Sequence, residues 1–144
     1  ILDLSENALI VAKGNFEKNQ RLFLGVRGDV FRMPFKDNAF HVVWNQGVIE
    51  HFEDPVAAID EMLRITKKGG YVILYVPAFF SPLHIIYKLL DKMGKKEKWP
   101  FGDQKFYKVS VLYNIVISSK GRPVFVNRLI GSFCFSAMAV IEKI

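Results

Sequence analysis

The chain has 144 residues, about the size of one domain. Hydrophobic residues make up 51% of it and aromatic residues 14%, which suffices for a packed core and excludes a disordered chain. The net charge is +6, yet there is no zinc-ligand spacing and no RNA-binding motif, so we expect neither a metal site nor a nucleic-acid partner. No apolar run reaches the roughly 18–20 residues that a transmembrane segment needs.

The lysines and the single cysteine bear on the surroundings of the chain. Much of the lysine lies in two clusters, Lys67–Lys68 and Lys88–Lys98, which indicate a solvated surface or, as the alternative, attraction to an anionic membrane surface. Cys134 cannot form an internal disulfide, which fits a reducing compartment. No signal peptide is visible after Ile1, so we expect a cytoplasmic location.

The N-terminal part predicts a strand end, a helix and a second short strand. Asp3 closes the first apolar piece, and Ser5 is a good helix N-cap. The apolar residues of Arg21–Arg27 indicate the second strand. An acidic residue after a strand commonly accepts hydrogen bonds from ribose hydroxyls, so Asp3 is either a ligand-binding residue or a simple loop residue.

The middle of the chain predicts a loop, a buried strand and a polar tip. Pro34 removes a backbone donor, so we expect a loop over Phe31–Asn38. Phe40–Trp44 is almost continuously apolar, which is typical of a parallel strand covered on both faces, and we expect Trp44 in the core. Asn45–Gly47 then forms a polar tip, where the glycine lets the backbone approach a ligand.

The remaining sequence predicts three helices, a strand and a β-hairpin. A helix begins at Asp54-Pro55, and we expect Lys67–Lys68 to lie at its C-terminal dipole. A buried strand follows at Tyr71–Val76. The later predicted elements are helices capped by Ser81 and Ser110 and hairpin strands at Val124–Leu129 and Cys134–Ile144. This alternation predicts one α/β domain over residues 1–144, with a mostly parallel sheet and an antiparallel C-terminal hairpin.

Four short motifs follow one another in an informative order: Gly28-Asp29, Met33-Pro34-Phe35, Phe40-His41-Val42-Val43 and Ile49-Glu50-His51. The set resembles the pattern of class I S-adenosylmethionine-dependent methyltransferases, and within them the small-molecule type related to quinone-biosynthesis C-methyltransferases. His41 replaces the usual Asp of that pattern, and we expect this to change local hydrogen bonding rather than chemistry. The resemblance implies a Rossmann-like methyltransferase sheet and S-adenosylmethionine as the cofactor.

The resemblance also implies residue roles on the adenosine side of the cofactor. Asp3 matches the acidic residue that holds the ribose hydroxyls, and Leu4 would lie against the adenine. Asp29 matches the residue that accepts a hydrogen bond from the adenine amino group, with the backbone amide of Val30 meeting the ring. For Asp29, capping of a turn is the alternative role.

Further roles follow from the match at the strand tip. Asn45, Gln46 and Gly47 match residues whose backbone approaches the methionine part of the cofactor. His51 would stand at the mouth of the pocket for a small-molecule acceptor, and it is the candidate catalytic residue. A surface or packing role after a helix start is the alternative for His51.

One expected part of the family's sheet has no match in the sequence. The first strand, with its Gly-rich turn, would precede Asp3, so we expect an N-terminally truncated domain that binds the cofactor weakly or not at all by itself. The absent strand would leave a gap in the sheet. The two flanking strands could pair with each other across it, or a strand from another chain could fill it, as in a homo-oligomer. Three functions stay open: methyl transfer to a small molecule, a non-catalytic remnant that mediates self-association, and a piece of a dinucleotide-binding oxidoreductase.

Overall fold

The computed structural model describes residues 1–129 and 136–144 and has an α/β architecture, which confirms the predicted α/β class. Two of its strand pairs are parallel and two are antiparallel, so the described sheets are mixed rather than mostly parallel. The chain forms two compact units, Ile1–Lys36 and Asp37–Ile144. A single domain over residues 1–144 stays a prediction. The predicted hairpin turn and Cys134 lie outside the described residues. Among the described helices, none is both long enough and apolar enough to cross a membrane.

The first unit contains two short parallel strands and one helix. Strand β1 (Leu2–Asp3) pairs with β2 (Val26–Arg27), and helix α1 (Glu6–Lys18) connects them. Ser5 caps α1 as expected, because its Oγ accepts a hydrogen bond from the amide of Ala8 at 3.3 Å. The fold therefore brings the carboxyl ends of β1 and β2 to the same edge.

The predicted strand at Arg21–Arg27 is mostly wrong, since only its last two residues form β2. Leu22 is fully exposed and Leu24 is 76% exposed, so these apolar side chains do not enter a core. Phe23 instead contacts Phe16 of α1, with ring centroids 5.4 Å apart. A run of apolar residues forms a strand only where a neighbouring strand is available for pairing, and the sequence pattern alone does not show this.

The second unit contains a four-stranded sheet with the strand order β3-β4-β6-β5. β3 and β4 are parallel, whereas β6 is antiparallel to both of its neighbours, so the predicted C-terminal hairpin strands are confirmed. The elements of this unit are β3 (Phe40–Gln46), α2 (Pro55–Ile65), β4 (Thr66–Pro77), α3 (Pro82–Lys92), α4 (Val109–Ile117), β5 (Arg122–Leu129) and β6 (Ser136–Glu142), with 3₁₀ helices at Ile49–His51 and Lys96–Lys98.

The core of the second unit lies between the sheet and the helices α2 and α4. Asp54 Oδ1 accepts from the amides of Val56 and Ala57, which fixes the start of α2 as predicted. Branched side chains of β4 alternate inward and meet small residues of β6. The buried core residues include Ile59, Met62, Leu63, Ile65, Val72, Leu74, Val76, Leu112, Val116, Ala137, Ala139 and Ile141.

The end predicted for the helix that begins at Asp54-Pro55 is wrong. α2 ends at Ile65, and Lys67–Lys68 belong to β4 rather than to a helix terminus. Thr66 draws the chain into the sheet, because it pairs with Phe40 and its Oγ1 donates to the carbonyl of Met62 at 2.7 Å. The predicted start of the last helix is also displaced, since Ser110 lies inside α4 and makes no capping hydrogen bond.

The predicted burial of the third strand on both faces is wrong as well. Trp44 is 66% exposed and Val42 is 52% exposed. β3 is the edge strand of its sheet and pairs only with β4 among the described residues. An edge strand with little cover leaves its apolar side chains in contact with solvent.

Candidate functional site

Two aspartates follow the carboxyl ends of the parallel strands in the first unit. Asp3 Oδ1 accepts a hydrogen bond from the amide of Ser5 at 2.8 Å. Asp29 Oδ1 accepts one from the amide of Phe31 at 2.9 Å. The Oδ2 atoms accept no hydrogen bond from the described part of the chain. Each carboxylate thus stabilises its own turn through Oδ1, and its Oδ2 receives no hydrogen bond from the described residues.

The loop with Pro34 folds back onto the glycine that precedes Asp29. A Cβ atom added to Gly28 would lie 3.0 Å from Pro34 Cδ and 3.1 Å from Leu2 Cδ1. A side chain at this position would push the loop away from β1, so the Gly-Asp and Met-Pro-Phe motifs depend on each other through packing. The contact holds Asp29 close to the end of β1.

The other two residues predicted for the adenosine side differ in exposure. Leu4 is 64% exposed directly after β1, and its backbone carbonyl accepts from Arg27 Nε at 3.2 Å. Val30 is half-buried beside Asp29. The exposed side chain of Leu4, which follows Asp3 in the sequence, is an apolar surface on which a flat ring can lie.

The polar tip predicted in the second unit lies at the end of β3. Asn45 is buried, and its Oδ1 has no hydrogen-bond partner among the described residues. Gln46 is exposed. Gly47 has a φ of +69°, and its amide donates to the carbonyl of Tyr75 at 3.1 Å. Glycine suits this position because residues with a side chain rarely adopt a positive φ.

His51 is held at the end of the short 3₁₀ helix. Its ring is exposed, and its Nδ1 lies 2.7 Å from the carbonyl oxygen of Asp103. The neighbouring Lys105 fastens the same segment, since its amide donates to the carbonyl of Glu50 and its Nζ donates to the carbonyl of Phe52. Residues 103–105 therefore fix the position of the predicted catalytic side chain.

Glu50, of the Ile49-Glu50-His51 motif, is a buried carboxyl group to which the sequence analysis assigned no role. It is 2% exposed, and its Oε2 has no hydrogen-bond partner among the described residues. Its Oε1 lies near the strand tip, because a Cβ atom added to Gly47 would be 3.6 Å from it. Glu50 and Asn45 thus each carry a buried acceptor near the carboxyl end of β3 that receives no hydrogen bond from the part of the chain that the structure describes.

Burial shifts the pKa values of two groups in this region. It raises the pKa of Glu50 above its ordinary value, against the opposing effects of its own backbone amide and of His51. Burial also raises the pKa of Tyr107, and the negative charge of Glu50 adds to that effect. Tyr107 stands beside the end of β4, where its amide donates to the carbonyl of Pro77 at 2.8 Å. A cationic or hydrogen-bond-donating ligand would relieve the cost of the buried carboxyl group.

The structure thus groups the candidate residues by unit. Asp3 and Asp29 follow neighbouring strands of the first unit, with Leu4 and Val30 adjacent to them in the sequence. The second unit joins the tip Asn45–Gly47 to His51 through the 3₁₀ helix. Sequence reasoning missed Glu50 and Tyr107. For Glu50 a signal was available in the sequence, because this glutamate follows apolar Ile49 shortly after the predicted strand tip and precedes His51.

Comparison with known proteins gives a consistent picture. The family model described as "Methyltransferase domain" matches residues 1–74. The chain is similar to a demethylmenaquinone methyltransferase of Staphylococcus haemolyticus, with 31% identity over 107 residues that cover 74% of this chain and 44% of that protein. It is also 49% identical over 45 residues to an uncharacterized methyltransferase of Schizosaccharomyces pombe, covering 31% of this chain and 16% of that protein.

The fold has a counterpart among solved structures. A S-adenosylmethionine-dependent methyltransferase of Thermotoga maritima matches with a TM-score of 0.74 and 21% identity, over 99% of this chain and 72% of that one. At this identity the likeness concerns the fold alone. The chain spans less than half the length of the two curated relatives described above.

Proposed function

Because the chain belongs to the methyltransferase-domain family, we propose that it provides cofactor-binding residues for methyl transfer from S-adenosylmethionine to a small-molecule acceptor. One observation carries the proposal. In each unit, acceptor oxygens that have no donor among the described residues follow the carboxyl ends of parallel strands: β1 and β2 in the first unit, and β3 in the second. Open α/β sheets bind their ligands at such strand ends.

The chemistry of these groups fits the cofactor. S-adenosylmethionine offers ribose hydroxyls, an adenine amino group, an ammonium group and a positively charged sulfonium, so it brings donors and positive charge. The chain offers acceptors in return, from the carboxylates of Asp3 and Asp29 and from the buried oxygens of Asn45 and Glu50. Hydrogen bonds to charged groups contribute about 1.5–3 kcal/mol each, which suffices to orient such a ligand.

In this proposal the first unit binds the adenosine part. Asp3 accepts hydrogen bonds from the ribose hydroxyls, and Asp29 accepts one from the adenine amino group. The amide of Val30 meets the adenine ring, while Leu4 supplies an apolar surface. The use of Oδ1 by the local turn supports these roles, because it fixes each carboxylate before a ligand arrives.

The resemblance assigns residues of the second unit to the methionine part. The proposal gives the backbone of Asn45, Gln46 and Gly47 a role at that part, and the buried carboxyl group of Glu50 would attract its positive charge. The cofactor supplies an activated methyl group on a sulfonium when it is bound. The residues of the chain contribute alignment, which is the main requirement of an in-line displacement.

His51 is the residue that we assign to proton removal, where the acceptor must lose a proton. The carbonyl of Asp103 fixes Nδ1 as the protonated nitrogen, so Nε2 of the neutral ring is the proton acceptor. For the acceptor itself we propose an aromatic ring of the quinone type. The demethylmenaquinone methyltransferase similarity supports this choice, as do the aromatic residues that follow β4.

A second candidate function rests on the exposed edge of β3. Val42 and Trp44 are exposed there, and the strand pairs only on its β4 side within the described residues. A non-catalytic module that self-associates through this edge would bury both side chains. Sedimentation velocity tests it, because a concentration-independent monomer would exclude self-association.

Thermal unfolding in the presence of ligands tests the proposed function. We expect S-adenosylhomocysteine to raise the melting temperature, and NAD to leave it unchanged, because only a ligand that binds the folded state stabilises it. The test uses the chain as it stands and the same chain preceded by a Gly-rich strand from a relative. Selective protection by NAD would support the oxidoreductase hypothesis instead, and no protection of either form would overturn the proposal.

A further inference from the structure

Helix α3 presents its aliphatic face outward. A helix of a folded unit ordinarily buries its apolar stripe. In α3 the only buried residue is His84. Five large apolar side chains on and beside the helix are 48–71% exposed: Phe80 71%, Ile85 54%, Ile86 48%, Leu89 54% and Met93 60%. The positions of Ile86, Leu89 and Met93 follow the helical repeat, so they share one face.

Ring contacts hold the opposite side of α3 inward. The ring of His84 lies 4.4 Å from that of Phe79 and 4.7 Å from that of Phe106, centroid to centroid. Tyr87 packs edge-on against Trp99 at 5.4 Å. These aromatic contacts set the rotation of the helix, and its aliphatic face consequently points away from the core of the unit.

The turn before α3 is held in an uncommon conformation. Phe80 has a φ of +60°, which is rare for a bulky residue. Its amide donates to His84 Nδ1 at 3.2 Å, and its carbonyl accepts from Arg128 Nη2 at 2.9 Å. The polar contacts maintain a strained turn whose phenyl ring is largely exposed, which is a frequent mark of a functional segment.

The charge beside this face is positive. Lys88 and Lys92 lie one helical turn apart on α3. Residues 80–98 contain five lysines and two acidic residues, Asp91 and Glu97, which leaves three net positive charges. Lys96 is partly neutralised by Asp103, at 2.5 Å.

From these observations we propose that α3, with Phe80 and Met93 at its two ends, is a contact surface for anionic phospholipid bilayers. The aliphatic face enters the headgroup region, and Lys88 and Lys92 approach the lipid phosphates. An exposed aliphatic face flanked by lysines is the composition of interfacial helices. Each lysine near an anionic surface contributes about 1 kcal/mol, or roughly a fivefold change in binding. This inference does not depend on methyl transfer.

Vesicle co-sedimentation of the full chain tests the proposal. We expect binding to vesicles of phosphatidylcholine mixed with phosphatidylglycerol, and little binding to phosphatidylcholine alone. Binding falls as salt is added, because screening weakens the lysine contacts. Replacing Lys88 and Lys92 with glutamine should weaken binding about 25-fold, since two lysine contributions are lost. The same change at exposed Lys18 and Lys68 is the matched control and should have little effect.

A second pair of variants tests the aliphatic face. Leu89→Ser with Met93→Ser should reduce vesicle binding about tenfold or more, because their apolar area no longer leaves water. The control is Val111→Ser with Ile117→Ser, two residues of uncharged α4 that are 46% and 51% exposed. Equal binding to both vesicle types, or equal effects of the two pairs, would overturn the proposal. A third result would also overturn it: the protein forms an oligomer in the absence of lipid, and only the Leu89→Ser, Met93→Ser variant is monomeric. The face of α3 would then contact a second copy of the chain.

Discussion

Nδ1 of His51 lies 2.7 Å from the backbone carbonyl oxygen of Asp103. A carbonyl oxygen only accepts hydrogen bonds, so this contact assigns the proton to Nδ1 and leaves Nε2 of the neutral ring as an acceptor. The residue is exposed, and the contact at Nδ1 fixes the position of its ring. This geometry suits a side chain that removes a proton from a bound molecule.

His51→Ala should lower kcat for methyl transfer about 100-fold or more, because general-base contributions are typically of that size. The affinity for the cofactor should stay unchanged. The matched control is His41→Ala, which removes another exposed histidine, one whose Nε2 lies 3.3 Å from Lys67 Nζ. A loss of cofactor binding without a loss of kcat would contradict the assigned role, and so would equal activity of the two variants.

Asp29→Asn separates the ligand role of this residue from its role in the turn. The amide oxygen of asparagine still accepts from the amide of Phe31, so thermal stability should change little. The affinity for S-adenosylhomocysteine should fall about tenfold or more, because a charged hydrogen bond to the adenine amino group is weakened. Calorimetric titration measures this effect, with Asp91→Asn on α3 as the control. If the folded Asp29→Asn variant binds S-adenosylhomocysteine with unchanged affinity, Asp29 only caps its turn and does not bind the ligand.

Glu50→Gln should stabilise the protein near neutral pH. The wild-type carboxyl group has a raised pKa, so the folded state binds its proton more tightly than the unfolded state does. The free energy of unfolding therefore decreases as pH rises from about 4.5 through the raised pKa, and glutamine removes this loss. Urea unfolding at a series of pH values measures the slope. The control is Glu53→Gln, at an exposed glutamate three residues after Glu50, which should leave the slope unchanged.

The same substitution should weaken cofactor binding while it stabilises the fold. Glu50 places a buried acceptor at the strand tip, and its charge is favourable only when a cation or donor reaches it. Higher stability together with lower affinity for S-adenosylmethionine is the expected combination. Lower stability at neutral pH would show that Glu50 has a structural partner in the protein.

His84 should give a pH dependence of the opposite sign. Burial, and secondly the charge of Lys88, lowers its pKa below the ordinary 6.5. The unfolded state therefore binds the proton first, and stability is lost as pH falls from 6.5 toward the folded pKa. His84→Asn keeps an acceptor for the amide of Phe80 and removes the titration, so the slope in this range should disappear. A slope that persists in the variant would assign the effect to another group.

The local chemistry of the chain made much of the fold predictable. Ser5, Asp54 and Ser81 were predicted as N-caps, and each accepts the expected backbone hydrogen bond. The sequence pattern was also sufficient to predict strand β4, because the residues at its inward positions are branched and apolar. Capping and alternation depend on a few neighbouring residues, which the sequence contains in full.

Burial depends on partners that are distant in the sequence, and there the predictions failed. Trp44 was expected in the core, but it lies on an edge strand and is largely exposed. The burial of Glu50 was not predicted either: it lies in the first turn of the 3₁₀ helix and is 2% exposed, with its Oε1 near Gly47. The outward face of α3 was likewise invisible, since periodicity shows that a helix is amphipathic and not which way it faces.

Isothermal titration with S-adenosylhomocysteine tests the central claim most directly. The titration compares the chain preceded by a Gly-rich strand from a relative with the same protein carrying Asp3→Asn and Asp29→Asn. We predict saturable binding at one site per chain in the first protein and a loss of that binding in the second. No heat of binding in either protein, or the same affinity in both, would contradict the assignment of this chain as a S-adenosylmethionine site.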